Sequence, residues 1–172
     1  MEILRAEHLT KIYGKGNTSV NAVNDLSLSV AQGEFVAVVG SSGSGKSTLL
    51  KLFMRFWNVD NGSINISGKN INDVNTSNLR DMESFVTQET HLFADSIKNN
   101  IKIAKLDATD VEVYEACKKA SVHDFIMGLP KGYDTPVGEL GGTLSGGEKQ
   151  RIGLARAFLH NADMMLLDEP TS

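Results

Sequence analysis

Apolar and polar positions alternate in "VNAVNDLSLSV", Val20 to Val30, most clearly at Leu26, Leu28 and Val30. A period of two predicts a strand with one covered face. The turn-forming "AQG" follows, and then the unbroken apolar run "EFVAVV", Glu34 to Val39. Together they predict an antiparallel pair leading into a buried strand. "SINIS", Ser63 to Ser67, alternates again between Asn61-Gly62 and Gly68. Up to about Val86 the pattern predicts strands and one helix, the helix starting behind a glycine-rich stretch at Gly40 to Thr48.

Beyond Gln88 the period lengthens. "TDVEVYEACKKA" opens with Thr109 and Glu112 in capping-box spacing, and "SVHDFIMGL" predicts a second, short helix. "GEKQRIGLARAFLH" places Ile152, Ala155, Phe158 and Leu159 on one helical face, with Ser145 positioned to cap its start. "MMLLDEPTS" closes the chain with a buried strand ending in two carboxylates. No internal repeat or low-complexity linker interrupts the pattern.

A chain of 172 residues, 41% hydrophobic, suffices for one globular domain. Lys and Arg number 17 against 21 Asp and Glu, a net charge of -4, so the basic footprint of a nucleic-acid binder is missing. The lone cysteine, Cys117, excludes a disulfide framework and a zinc quartet. His8, His91, His123 and His160 show no metal spacing and read as surface or packing residues. "MEILRAEHLT" lacks the features of a secretory signal, and no apolar run approaches the length that crosses a bilayer. A soluble chain able to dock on a membrane partner is expected.

Gly40, Gly45, Lys46 and Ser47 fit G-x-x-x-x-G-K-[ST], the P-loop. Its span, Gly40, Ser41, Ser42, Gly43, Ser44, Gly45, Lys46, Ser47 and Thr48, lies between a predicted strand and a predicted helix, as phosphate binding requires. Glycines let backbone N–H groups approach the phosphates, the Lys46 ammonium reaches the β- and γ-phosphates, and the Ser47 hydroxyl ligates Mg²⁺. The plainer alternative is a glycine turn that binds nothing. "MMLLDE", Met164 to Glu169, supplies the second half of such a site. Asp168 leaves the carboxyl end of its strand to hold Mg²⁺ through water, and Glu169 is placed to polarise an attacking water as general base. "LSGGEKQR", Leu144 to Arg151, puts bare backbone at a second helix start and so makes a second anion-binding end. One nucleotide has no obvious use for both.

With these motifs in order, the chain resembles the ATP-binding cassette (ABC) ATPases, whose signature is "LSGG" followed by Q or E. The resemblance takes in the P-loop, Gln88 in "FVTQETHLF" as Q-loop, the signature at Leu144 to Glu148, and Glu169 as catalytic carboxylate. It implies an α/β fold: a P-loop NTPase core with an N-terminal antiparallel β part and an inserted helical subdomain. One incomplete domain over 1–172 is expected, with 1–87 and 161–172 as nucleotide-binding core and 88–160 as the mainly helical signature part.

In function the resemblance implies ATP hydrolysis powering export, with ATP and Mg²⁺ as cofactors and Lys46, Gln88 and Glu169 as catalytic residues. Ser47, Gln88 and Asp168 would serve the metal, and Tyr13 in "KIYGKG" would stack on adenine, an ordinary surface tyrosine being the alternative. Two cassettes would pair head to tail, so that Ser145, Gly146 and Gly147 of one close on the ATP of the other. A transmembrane domain or subunit would complete the machine, with the cassette peripheral on the cytoplasmic face of the membrane and no nucleic acid involved. "TPVGELGG", Thr135 to Gly142, resembles the coupling segment of exporters; a solvated glycine loop is the alternative.

Two departures bear on this reading. "DEPTS" is followed by none of the D-loop, further strand or H-loop histidine that the family pattern continues with, so a fragment is expected. Residues up to Leu50 resemble stand-alone cassettes of the macrolide, lipoprotein and antimicrobial-peptide transport group, whereas "KLFMRFW" onwards resembles exporters that fuse membrane domain and cassette. A catalytically silent ATP-binding fragment and a non-transport ABC ATPase are the alternative readings.

Overall fold

The computed structural model describes residues 1–138 and 144–168. They fall into two compact units, Met1–Arg80 and Asp81–Ser172.

Leu4, Ala6 and Leu9 put apolar side chains on the covered face of β1 (Glu2–Tyr13), which pairs antiparallel with β2 (Val20–Ala31) on one side and β3 (Asn61–Ile66) on the other. With β4 (Lys69–Asn70) the sheet order is β2-β1-β3-β4. Leu4, Leu9, Ile64 and Ile66 are buried against the inner face, each contributing about 1.5–3 kcal/mol by leaving water. β3 turns into β4 through Ser67 and Gly68, both at positive φ (48° and 78°), a two-residue hairpin turn whose twist matches the strands. The sheet supports α1 (Lys46–Phe53), which buries Leu49, Leu52 and Phe53.

The first unit departs from the sequence pattern at "EFVAVV". β2 takes β1 as its antiparallel partner, and residues 34–40 form no strand; Phe35 is 86% exposed and Val39 88%. The chain turns off the sheet at Gly33 (φ 78°), and no strand of this unit runs beside residues 35–39, so the apolar run lacks the ladder that buries such a segment. A second helix before Val86, α2 (Thr76–Met82), also appears.

The second unit pairs β5 (Glu83–Val86) with β6 (Met164–Leu167) in parallel, the one parallel ladder among the described residues. Between them lie α3 (Ile97–Lys102), α4 (Asp110–Lys119), α5 (His123–Met127) and α6 (Gly146–His160). The expected capping box of Thr109 with Glu112 forms, and the expected cap at Ser145 proves to be a second full box with Glu148. Ile152, Ala155 and Leu159 of α6 enter a core with Ile97, Ile101, Val113, Cys117 and Ile126, and Phe158 packs on its margin. Burial raises the pKa of the Cys117 thiol, which suits a packing role.

Candidate functional site

α1 starts without a side-chain cap. Its N-cap is Gly45, in the left-handed region at φ 92°, where a Cβ would lie 1.9 Å from the Ala22 carbonyl oxygen. Only glycine fits, because both the conformation and the approach to β2 exclude a side chain. Gly43 is also at positive φ (79°), and Ser44 N donates to Ser41 O at 3.1 Å to close the turn. Lys46 Nζ donates to the Gly40 and Ser41 carbonyl oxygens at 2.7 and 3.1 Å, holding its ammonium over the loop. The structure thus brings Gly40 to Thr48 together as a loop with a cation across it and the positive end of a helix dipole behind it. Such an arrangement suits the charge of a phosphate group.

Tyr13, at the end of β1, shares this unit. Its ring meets Trp57 edge-on, and Lys11 Nζ lies 5.7 Å from its centroid. Asp60 fixes this end of the strand by accepting from Ile12 N at 2.7 Å and Lys11 Nζ at 3.2 Å. Those two bonds, the backbone one first, hold its carboxyl below the ordinary carboxylate range. Trp57 and Asp60 escaped sequence reasoning because neither sits at a motif spacing.

In the second unit, Asp168 and Gln88 emerge at the same end of the parallel pair. Asp168 N donates to Val86 O at 2.9 Å, extending the ladder by one rung, and Gln88 follows Val86 by two residues. Gly146, at the start of α6, lines a cleft of about 460 Å³ with Gln88, Lys149 and Gln150. Ser145 Oγ accepts from Glu148 N at 3.3 Å, while Glu148 Oε2 accepts from Ser145 N at 2.7 Å, so the signature serine is engaged as a cap. Gly147 lies in the first turn of α6. Glu169 lies outside the described residues, as do 139–142 of the segment "TPVGELGG". Val137 N of that segment donates to Asp95 O at 2.8 Å.

The donors expected to serve a cation are a hydroxyl (Ser47), an amide (Gln88) and one carboxylate (Asp168). No group of three or more His, Cys, Asp or Glu is clustered for metal binding among the described residues. Arg156, Asn100 and Gln150, which join α6 to the segment after β5, carry no spacing that sequence reading could catch; most of their partners are backbone groups.

A G-x-x-x-x-G-K-S loop in one unit and a serine-capped LSGGE helix in the other occur in the same chain, and known proteins show which family carries both. The family model described as ABC transporter matches residues 23–172. A Haemophilus influenzae protein provisionally named as an ABC transporter ATP-binding/permease protein is 58% identical over 150 residues, covering 87% of this chain and 27% of that protein. A Staphylococcus aureus protein, provisionally named as a multidrug export ATP-binding/permease protein, is 49% identical over 166 residues, 96% of this chain and 28% of its own length. Among solved structures, a bacterial Atm1-family ABC exporter with ATP bound matches with a TM-score of 0.90 and 40% identity over 99% of this chain and 29% of its own. The chain belongs to the ABC transporter family and has its mixed α/β fold with an antiparallel β part. It spans between a quarter and a third of the length of these relatives, corresponding to their nucleotide-binding part. Among the described residues no helix is long and apolar enough to cross a membrane.

Proposed function

We propose that this chain binds Mg-ATP and hydrolyses it to ADP and phosphate, powering export through a transmembrane domain or subunit. The observation that carries this reading is the loop at Gly40 to Thr48, with glycine forced at Gly45 and the Lys46 ammonium held 2.7 Å from the Gly40 carbonyl. On ligand entry Lys46 exchanges two carbonyl oxygens for phosphate oxygens, so its charge is already in place. Ser47, Gln88 and Asp168 are assigned to Mg²⁺ by the chemistry of their side chains, a hydroxyl, an amide and a carboxylate. Bound Mg²⁺ supplies charge neutralisation on the phosphates. Glu169 is assigned as general base and Tyr13 as the adenine platform. Ser145 to Gly147 are assigned to a second cassette's nucleotide in a head-to-tail pair, at the cytoplasmic face of a membrane. The names of the relatives, which join ATP-binding to permease, support the membrane partner.

Equilibrium binding of Mg-ATP tests the loop. Loss of the Lys46 contact in Lys46→Ala removes a charge-assisted bond of about 1.5–3 kcal/mol, roughly ten- to a hundredfold in affinity. Unchanged affinity rejects the loop assignment. Phosphate release measured over a range of chain concentrations, with Glu169→Gln as control, tests the pairing. Specific activity that rises with concentration and vanishes in the control supports it, whereas binding without turnover leaves a silent nucleotide-binding cassette.

A further inference from the structure

α6 grips the segment that carries Gln88 from successive turns. Gln150 Nε2 donates to the Gln88 carbonyl at 3.3 Å, and six residues further along the helix Arg156 Nη1 donates to the His91 carbonyl at 2.8 Å. Between them Gly153 faces Thr90 so closely that a Cβ there would lie 2.5 Å from Thr90 Oγ1 and 3.2 Å from its Cγ2. A side chain at 153 therefore forces either the Thr90 side chain or the segment that carries it to move. Arg156 also ties the far end: Nε donates to Asn100 O at 2.7 Å and Nη2 to Asn100 Oδ1 at 2.9 Å. Asn100 is fully buried and in turn binds both the N–H and the carbonyl of Phe93, at 2.8 and 3.0 Å.

Residues 88–93 form no helix or strand of their own, so these contacts supply the restraint that a ladder would otherwise give. A guanidinium suits the task because its planar fork reaches two carbonyls in different directions, which an ammonium cannot do with the same geometry. We propose that Gly153 and Arg156 are positioning residues that strap the Gln88 segment to α6. What Gln88 and the signature do rests on the function proposed above; the strap is tested without it.

Amide hydrogen exchange of residues 88–93 in the whole chain, Phe93 above all, provides the test. Gly153→Ala raises exchange there by about tenfold or more, reporting local opening. Thr90→Ala in the same chain removes Oγ1 and Cγ2 and returns exchange to near the parent rate, a rescue that a general loss of stability would not show. Unchanged exchange in Gly153→Ala, or no recovery in the double variant, overturns the strap. Should Gly153→Ala not fold, Arg156→Lys keeps the charge and loses the fork; faster exchange at Phe93 supports the strap and parent-like exchange overturns it. ATP turnover recorded alongside separates the two ideas, since a parent without turnover rejects the hydrolytic reading and leaves the exchange result standing.

Discussion

The rings of Tyr13 and Trp57 meet edge to face, with centroids 6.1 Å apart and planes at 87°. Trp57 is the only tryptophan of the chain, so its emission reports directly on whatever reaches Tyr13. ATP is expected to change that emission saturably, and inorganic tripolyphosphate, which has no base, to leave it unaltered. Tyr13→Ala is expected to weaken ATP by about five- to 150-fold, from about 1–3 kcal/mol of base stacking. Tripolyphosphate affinity stays the same. Equal losses for both ligands would place the adenine elsewhere.

Gly62 and Gly68 separate steric exclusion from backbone preference. Both have positive φ, but a Cβ on Gly62 would lie 2.3 Å from Glu7 O and 2.5 Å from His8 O, whereas one on Gly68 meets nothing within 4 Å. Gly68→Ala is expected to cost about 1–2 kcal/mol and Gly62→Ala about 3 kcal/mol or more, because β1 and β3 must also separate. Urea denaturation checks the order, which equal costs would contradict.

Ser145 caps α6 independently of any nucleotide. Ser145→Ala is expected to lower stability by about 1 kcal/mol, and Ser145→Asn, which still accepts from Glu148 N, by only a few tenths. Thermal unfolding without nucleotide reads this directly. A stable Ser145→Ala chain would mean that the capping box contributes nothing to α6.

Glu112 makes the stability of α4 acid-sensitive. Its carboxyl is held down to about 2, from an ordinary 4.5, first by the Lys105 ammonium and then by the Thr109 N–H and hydroxyl. Because the folded value lies below the unfolded one, this stabilisation is complete above about pH 4.5 and is lost as pH falls through about 2. Glu112→Gln should therefore melt below the parent at pH 6 and approach it towards pH 2. A gap independent of pH would show that the charge is not what stabilises the cap.

The Thr109–Glu112 box and the Ser145 cap were legible because a Ser or Thr at a helix start needs only its own turn to form the cap. The glycine loop was equally legible, since Gly43 and Gly45 stand where the backbone must take positive φ. "EFVAVV" misled because an apolar run states what a segment would bury and not which strand lies beside it. The pairing of β1 with β3 was illegible for the same reason: β3 begins only at Asn61, far along the chain from β1.

Composition, motif order and local capping were enough to place the chain among nucleotide-binding cassettes, because P-loop, signature and caps are short-range patterns written in consecutive residues. The arrangement of β2-β1-β3-β4, the edge-on meeting of Tyr13 and Trp57, and the hold of Arg156 on His91 and Asn100 came only with folding. Each joins residues distant in sequence. The strap binds a side chain to backbone carbonyls, which every residue type presents alike, so nothing in the identity of His91 announces that Arg156 will find it.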